Sequence, residues 1–537
     1  RRVSGRGTIQ RWWTGPMRTR GRLGRLRSAI ITGVQATLVT VEVYRGDGVP
    51  DTSIVGLAGT AVRESLDRIH TACNQSGFPL KPRKTTVNLA PASHRKSGTA
   101  LDLPIALGMM LADDSLGADR LDDCVCMGEL GLDGSLRPVA GALPAALAAR
   151  RSGHPTLLVP RQNAIEVAAI PEVRAIGLGS LAETVAYLRG ELEPPAPTPP
   201  ATTPEPVAVD LADLVGNLVP RRALELAAAG GHHLLMVGPP GVGKTLLARA
   251  LPGILPPLTF DEAIETSAVY SAVGDLAGEG LLQQRPFRAP HNSVTVAGLI
   301  GGGLPLRPGE VSFAHNGVLF LDEFPEFSRR VLESLRQPIE TGNLVLVRGG
   351  HSMCLPSCFQ LVAAMNPCPC GRGPTDDACR CGERGLLAYW HRISGPLLDR
   401  IDLFVGVERV PLDALIGGQS RGEPSSTVRQ RVVEARSIQA RRMTKLAGHH
   451  RTPLPGITNA SLPAAWLRRA CSLPTALRKG ARDTAEKMQL SARAWHRVLR
   501  VARSIADLDD SDSIGGAHLD EALQYRQPPG PLAASGR

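Results

Sequence analysis

One stretch constrains the fold more than any other: His232 to Ala250, HHLLMVGPPGVGKTLLARA. The apolar run Leu234 to Val237 predicts a buried strand, and Leu246 to Leu251 are helix formers. Between them Gly238, Pro239, Pro240, Gly241, Val242, Gly243, Lys244 and Thr245 fit G-x-x-x-x-G-K-T. Strand, glycine loop and helix in that order describe a phosphate cradle. Glycines let the backbone curl so that successive N–H groups and the helix N-terminus face an anion. Lys244 then reaches the β- and γ-phosphates of a nucleotide, and Thr245 holds magnesium.

Lysine usage points the same way. Between Lys96 and Lys445 the chain contains no lysine except Lys244, although arginine is abundant there. A compact ammonium is kept at the one place where a point charge beside phosphate is wanted.

At 537 residues the chain exceeds one ordinary core and implies about two to four domains. Its 43% hydrophobic and 21% charged residues are those of a soluble globular protein. No run approaches the roughly 20 uninterrupted apolar residues of a membrane span. The net charge of +11 invites a nucleic-acid reading, but nine arginines and no acid fall within residues 1–27. The remainder is nearly balanced, so global charge says little about a partner. This opening has no apolar signal core and no initial Met, which makes it either a basic tail or upstream sequence, with Met17 a candidate start. Without an export signal, a cytoplasmic, reducing location is expected, and disulfides are not the expected use of the ten cysteines.

After the tail, Thr37 to Val43 alternate with Val39, Val41 and Val43 on one face, as a half-buried strand does. Thr60 is positioned to cap a helix carrying Val62, Leu66 and Ile69, with Gly77 just past its end. Thr85 to Leu89 predict a strand, Asp133-Gly134 a hairpin turn, Ala142 to Arg151 an apolar helix, and Thr156 to Val159 another strand. Together these make an α/β domain of about 160 residues. Residues 191–210 are proline-rich without apolar periodicity, and predict an extended linker.

Beyond the linker, GVLFLDEF (Gly317 to Phe324) predicts a buried strand delivering Asp322 and Glu323 at its C-terminal end, where parallel sheets bind ligands. There Asp322 would hold magnesium and Glu323 would polarise the attacking water. Leu361 to Asn366 predict the next strand, ending in an amide. Arg400, in PLLDRID, sits in an apolar setting where a guanidinium needs an acceptor. That acceptor is either a carboxylate of the same chain or the γ-phosphate bound to a neighbouring subunit.

Cys368, Cys370, Cys379 and Cys381 form two close pairs across a glycine- and proline-containing loop. They fit a tetrahedral thiolate zinc site, but with C-x-C spacing that strains chelation; reduced surface thiols are the alternative. Cys354 and Cys358 lie close enough in sequence to contribute, whereas Cys73, Cys124, Cys126 and Cys471 behave as small apolar residues. From Thr427 onward the pattern is helical. Ser491 to Leu508 carries an apolar stripe from Trp495 to Ile505, with arginines expected on the other face. Arg493 lies in the first turn, against the helix dipole, which suits either a phosphate contact or a solvated surface.

The set GPPGVGKT, RPFRAPH, GGGLPLRPGEVSFAHNGVLFLDEFPEFSRRVLESLRQPIE, AAMNPCPCG, LLDRIDL and LSARAWHRVLRVARSIADL resembles the ComM/YifB family of magnesium-chelatase-like AAA+ ATPases, over residues 26–526. The resemblance implies a mixed α/β chain with these divisions: a basic tail (1–25), a Lon-protease-like (S5 domain 2-like) α/β domain (26–190), the linker (191–210), a P-loop AAA+ α/β core of the helix-2-insert clade (211–424), a C-terminal helical lid (425–527) and a tail (528–537). It implies Lys244 and Thr245 as Walker A, Asp322 and Glu323 as Walker B, Asn366 as sensor 1, Arg400 as arginine finger and Arg493 as sensor 2. ATP and Mg²⁺ follow as ligands, and a homo-hexamer acting on single-stranded or branched DNA follows as the working state. The stretch from Thr245 to Asp322 has room for an inserted helix hairpin, and Asn343 to Gln360 for a pore hairpin in which Arg348 and His351 touch DNA.

GELGLDGSLRPVAGALPAALAARRSG resembles Lon around its catalytic lysine, yet that place falls near Ala146, and Gly98 or Thr99 stands where the nucleophile belongs. A Ser-Lys dyad needs an amine of lowered pKa beside a hydroxyl, so a proteolytically inactive scaffold is expected. Three functions follow in order: a DNA branch-migration motor, a chelatase-type remodeller of a protein or metal-insertion complex, and an ATP-dependent protease.

Overall fold

The computed structural model describes residues 23–527 apart from 94–95, 97, 199–208, 277, 304–305, 349–350, 374–376, 412–421 and 449–455. Residues 1–22 and 528–537 of the expected tails, and half of the proline-rich linker, therefore lie outside the described residues. The chain forms two compact units: Arg1–Thr202 together with Ser267–Leu281, and Thr203–Thr266 together with Leu282–Arg537.

The first unit contains β1 (Leu23–Thr32), β2 (Gln35–Gly46), β3 (Asp51–Val55), β4 (Lys84–Ala90), β5 (Cys124–Cys126), β6 (Glu129–Leu130), β7 (Leu136–Arg137), β8 (Thr156–Pro160) and β9 (Arg174–Leu178). Seven of them make a mixed sheet in the order β3-β4-β2-β1-β5-β8-β9. Along β2 the alternation holds: Val39, Val41 and Val43 are buried. They share one core with the helix Asp102–Ala112, every residue of which is buried. Asp102 interrupts that apolar run, and its burial is partly offset because its carboxylate accepts from Arg68 Nε at 2.8 Å and from the Leu130 N–H at 3.2 Å. The short β6–β7 hairpin turns at Gly134, whose φ of +80° suits glycine.

Two local expectations are corrected. The helix Thr60–Gln75 takes Gly59 as its N-cap with no side-chain cap, so Thr60 lies inside the first turn. Residues 267–281 belong to this unit although they follow the P-loop in sequence. The Gly141 N–H donates to the Ser271 carbonyl at 2.6 Å, and the Leu143 N–H to its hydroxyl at 3.2 Å. Gly278 likewise donates to the Gln162 carbonyl at 3.1 Å.

The second unit is built on β10 (Leu234–Val237), β11 (Phe287–Arg288), β12 (Val318–Leu321), β13 (Asn343–Arg348), β14 (His351–Pro356), β15 (Gln360–Met365) and β16 (Leu403–Gly406). Five form a parallel sheet in the order β11-β12-β15-β10-β16, and β13 pairs antiparallel with β14 as a separate hairpin. All residues of β10, β12 and β15 are buried, as continuous apolar runs in a parallel sheet require. A hairpin does form within Asn343–Gln360, with Val345 and Val347 exposed; the side chains of Arg348 and His351 lie outside the described residues.

C-terminal helices Ser425–Ala447, Ala464–Ala470, Thr475–Lys487, Ala492–Leu508 and Gly516–Gln524 complete this unit. Leu234, Met236 and Leu251 belong to one apolar cluster with Val432, Val498, Val501 and Ile505, so these helices share a core with the sheet. The expectation that the arginines of Ala492–Leu508 face away from this core is corrected. Arg497 is buried against Asp402, and Arg503 is buried against Asp507, 3.1 Å away. Burial alone would raise the pKa of Asp402, but the adjacent Arg497 and His232 hold it well below the usual carboxylate range.

Candidate nucleotide-binding site

β10 ends at the loop Gly238–Gly243, and the helix Lys244–Ile254 starts immediately after it. Gly238 has to be glycine because a Cβ there would meet the Val407 carbonyl oxygen at 2.2 Å. Gly241 and Gly243 take φ of +79° and +91°, and a Cβ on either would project into open space. That space is a cavity of about 380 Å³ bounded by the loop, Asp322, Glu323, Met365 and Asn366.

The side chains around it are already coupled. Lys244 Nζ donates to the Gly238 carbonyl at 2.6 Å, the Pro239 carbonyl at 2.8 Å and Asn366 Oδ1 at 3.2 Å. Burial lowers the pKa of this ammonium, with Asp322 acting in the opposite sense. Thr245 Oγ1 donates to Asp322 Oδ2 at 2.7 Å, which sets a hydroxyl and a carboxylate side by side. These oxygens suit a hard divalent cation, and Lys244 suits the phosphates above it. The structure thus brings Lys244, Thr245, Asp322, Glu323 and Asn366 together from three adjacent parallel strands.

Glu323 adopts φ of +51°, an unusual backbone for a residue with a Cβ. Its Oε2 accepts from Asn292 Nδ2 at 3.0 Å. Asn292 escaped the sequence reading although it follows directly on RPFRAPH, and a polar triplet between the P-loop and the acidic strand end was the available signal.

Arg400 and Arg493 do not line this cavity. They line a separate one of about 620 Å³, together with Arg285, Arg436, Arg497 and Arg500. Both arginines converge on one carboxylate, Glu340: Arg400 through Oε2, and Arg493 through Oε1 at 3.2 Å. Arg400 holds Glu340 below the ordinary glutamate pKa, with Arg493 adding to the effect. Arg400 is 6% exposed and also donates to the Pro396 carbonyl at 2.7 Å, yet its Nε has no partner. Glu340, which the sequence reading passed over, closes the run RRVLESLRQPIE.

The Sγ atoms of Cys368, Cys370, Cys379 and Cys381 lie within 4.8 Å of one another. Cys354 and Cys358 do not join that group among the described residues. In the first unit, Thr99 Oγ1 is bonded to Glu129 Oε2, and Ala146 is buried in the helix Ala142–Arg151. Among the described residues no helix is long and apolar enough to cross a membrane.

Residues 210–415 match the family model "Magnesium chelatase, subunit ChlI", residues 41–163 "Subunit ChlI of Mg-chelatase", and residues 422–526 "Magnesium chelatase, subunit ChlI C-terminal". The protein YifB of Salmonella typhimurium is 42% identical over 494 residues, covering 92% of this chain and 95% of that protein. The competence protein ComM of Haemophilus influenzae is 42% identical over 499 residues, again 92% and 95%. The chain belongs to the ComM/YifB family of magnesium-chelatase-like AAA+ ATPases. A weaker likeness, 24% over 225 residues, links part of it to the Lon protease of Haemophilus influenzae. In this ComM/YifB chain the P-loop cavity lies in the segment matched by the first chelatase model, whereas Arg493 falls in the C-terminal one.

Proposed function

We propose that this chain hydrolyses ATP as a subunit of a homo-oligomeric ring, most simply a hexamer, and that the ring works on DNA as a branch-migration motor of the ComM type. One observation carries the reading: the phosphate cradle and the arginine pair belong to different cavities of the same protomer. A guanidinium that stabilises charge developing on a γ-phosphate has to reach it, so a second copy must bring Arg400 and Arg493 to the cradle. To take that role the Arg400 guanidinium would exchange its bond to the Glu340 carboxylate for one to the neighbour's phosphate.

In this scheme Lys244 and the loop N–H groups bind the phosphates, Thr245 and Asp322 hold Mg²⁺, Glu323 takes the proton of the attacking water, and Asn366 orients that water. Thr245 and Asp322 would hold Mg²⁺, which would supply neutralisation of the phosphate charge. The Asn292 amide keeps Glu323 occupied until a ligand draws the amide away. Replacing Asn292 with Ala is therefore expected to raise unstimulated ATP turnover about fivefold. Turnover unchanged in a steady-state assay would make that bond incidental.

Identity of 42% to a protein named for competence, over 92% of the chain, favours DNA as the substrate in this reading. The chelatase family matches favour a second reading, a remodeller of a metal-insertion complex. ATPase assays with single-stranded DNA, duplex, four-way junction and porphyrin separate the two. Stimulation by branched or single-stranded DNA is expected, and stimulation by porphyrin alone would replace the motor reading with the remodeller.

A further inference from the structure

We propose that Cys368, Cys370, Cys379 and Cys381 bind one Zn²⁺ as a tetrathiolate, and that this site braces the Asn366 side of the phosphate cradle. The bracing half of the proposal rests on the nucleotide reading above; the metal half does not.

The sulfur geometry carries the metal. With Zn–S bonds of ~2.3 Å, tetrahedral ligands stand about 3.8 Å apart. Here Cys368 Sγ lies 3.8 Å from Cys379 Sγ and 3.3 Å from Cys370 Sγ, and Cys370 and Cys379 are 3.7 Å apart. Cys381 Sγ falls within 4.8 Å of all three. A disulfide needs about 2.05 Å, so the thiols are gathered without being paired. All ten cysteines are free, which leaves the convergence of these four without a covalent cause.

Local backbone removes the objection raised by the C-x-C spacing. Gly371, Gly373 and Gly382 adopt φ of +82°, +99° and +60°, so the chain doubles back beside each cysteine pair. The Gly373 N–H donates to Cys368 Sγ at 3.2 Å, an outer contact that steadies a metal-bound thiolate. Cys368 itself is fully buried. The site is small enough for one ion, and its all-sulfur donors select zinc over the oxygen-seeking Mg²⁺.

Its position ties it to the cradle. Cys368 follows Asn366 by two residues, and Asn366 bonds Lys244. At Gly371 a Cβ would stand 3.0 Å from Pro240 Cδ, so the cysteine loop touches the P-loop itself. Cys381 caps the helix Gly382–Trp390, and Trp390 Nε1 donates back to the Pro367 carbonyl at 3.2 Å. One ion would thus cross-link the end of β15, this helix and the loop resting on Pro240.

The test starts with the full-length wild-type protein purified without chelator, its metals quantified by mass spectrometry. About one zinc per chain is expected, released stoichiometrically when a thiol reagent titrates the protein. Cys370→Ser and Cys379→Ser are expected to lose it, while Cys354→Ser, outside the group, keeps it. Absence of metal, iron in place of zinc, or four thiols reacting as freely as Cys354 with nothing released would overturn the site, whether or not the variants fold. Chelator-stripped protein is expected to bind a fluorescent ATP analogue more weakly and to recover on adding Zn²⁺; unchanged affinity would overturn the bracing. If zinc-loaded wild type binds no nucleotide at all, the nucleotide reading fails while the metal site stands.

Discussion

In a one-to-one mixture of Arg400→Ala and Lys244→Ala proteins, ATP turnover is expected to rise far above that of either variant alone. In the proposed ring each productive site would take a cradle from one copy and a guanidinium from the next. A protomer lacking Arg400 retains Lys244, Thr245 and Asp322, and a neighbour lacking Lys244 retains Arg400. Random assembly makes about a quarter of the interfaces intact, so turnover should approach that fraction of wild type. Arg400→Ala alone should lower kcat about 10³–10⁵-fold, the range of an arginine acting on a transferring phosphoryl group. Glu340 retains Arg493 as a partner in that variant, which limits the structural damage. Absence of recovery in the mixture, with both proteins assembled, would place the arginine in its own protomer's chemistry and remove the shared site.

Lys244→Ala by itself is expected to lower turnover about 10²–10³-fold, the cost of deleting one preorganised charge from a phosphate site. Binding should suffer as well, since the ammonium bridges the loop carbonyls of Gly238 and Pro239 to Asn366. Removing it frees both loop carbonyls and the amide at once. Titration with a fluorescent ATP analogue measures the binding component, and single-turnover hydrolysis the chemical one. Full retention of both would show that the cradle is not where the nucleotide sits.

The fold was legible wherever a short-range pattern dictated it. β10 and the helix Ala142–Arg151 fall where the apolar runs predicted, as do the strand ends that carry Asp322 and Asn366. What escaped were long-range partners. Periodicity puts Arg497 on a polar face, because nothing local announces that Asp402 lies 95 residues away to receive it; Arg503 is the exception, since its partner Asp507 stands four residues on in the same helix. Asn292 meets Glu323 across 31 residues, and Glu340 meets Arg400 across 60. The C-x-C spacing looked awkward because spacing counts residues, whereas reach depends on backbone angle, and three left-handed glycines changed that angle. Thr60 illustrates the opposite error: a residue type suited to capping sat one position too late, and Gly59 held the cap's extended conformation.

The capture of residues 267–281 by the N-terminal unit alters what can be cut from this protein. A fragment stopping at the proline-rich stretch would carry the whole seven-stranded sheet but not Ser271 or Gly278. Gly141, Leu143 and the Gln162 carbonyl would then face a vacated groove with nothing to answer them. The two units are interleaved along the chain, so the smallest self-sufficient version of the first includes a loan from beyond the P-loop.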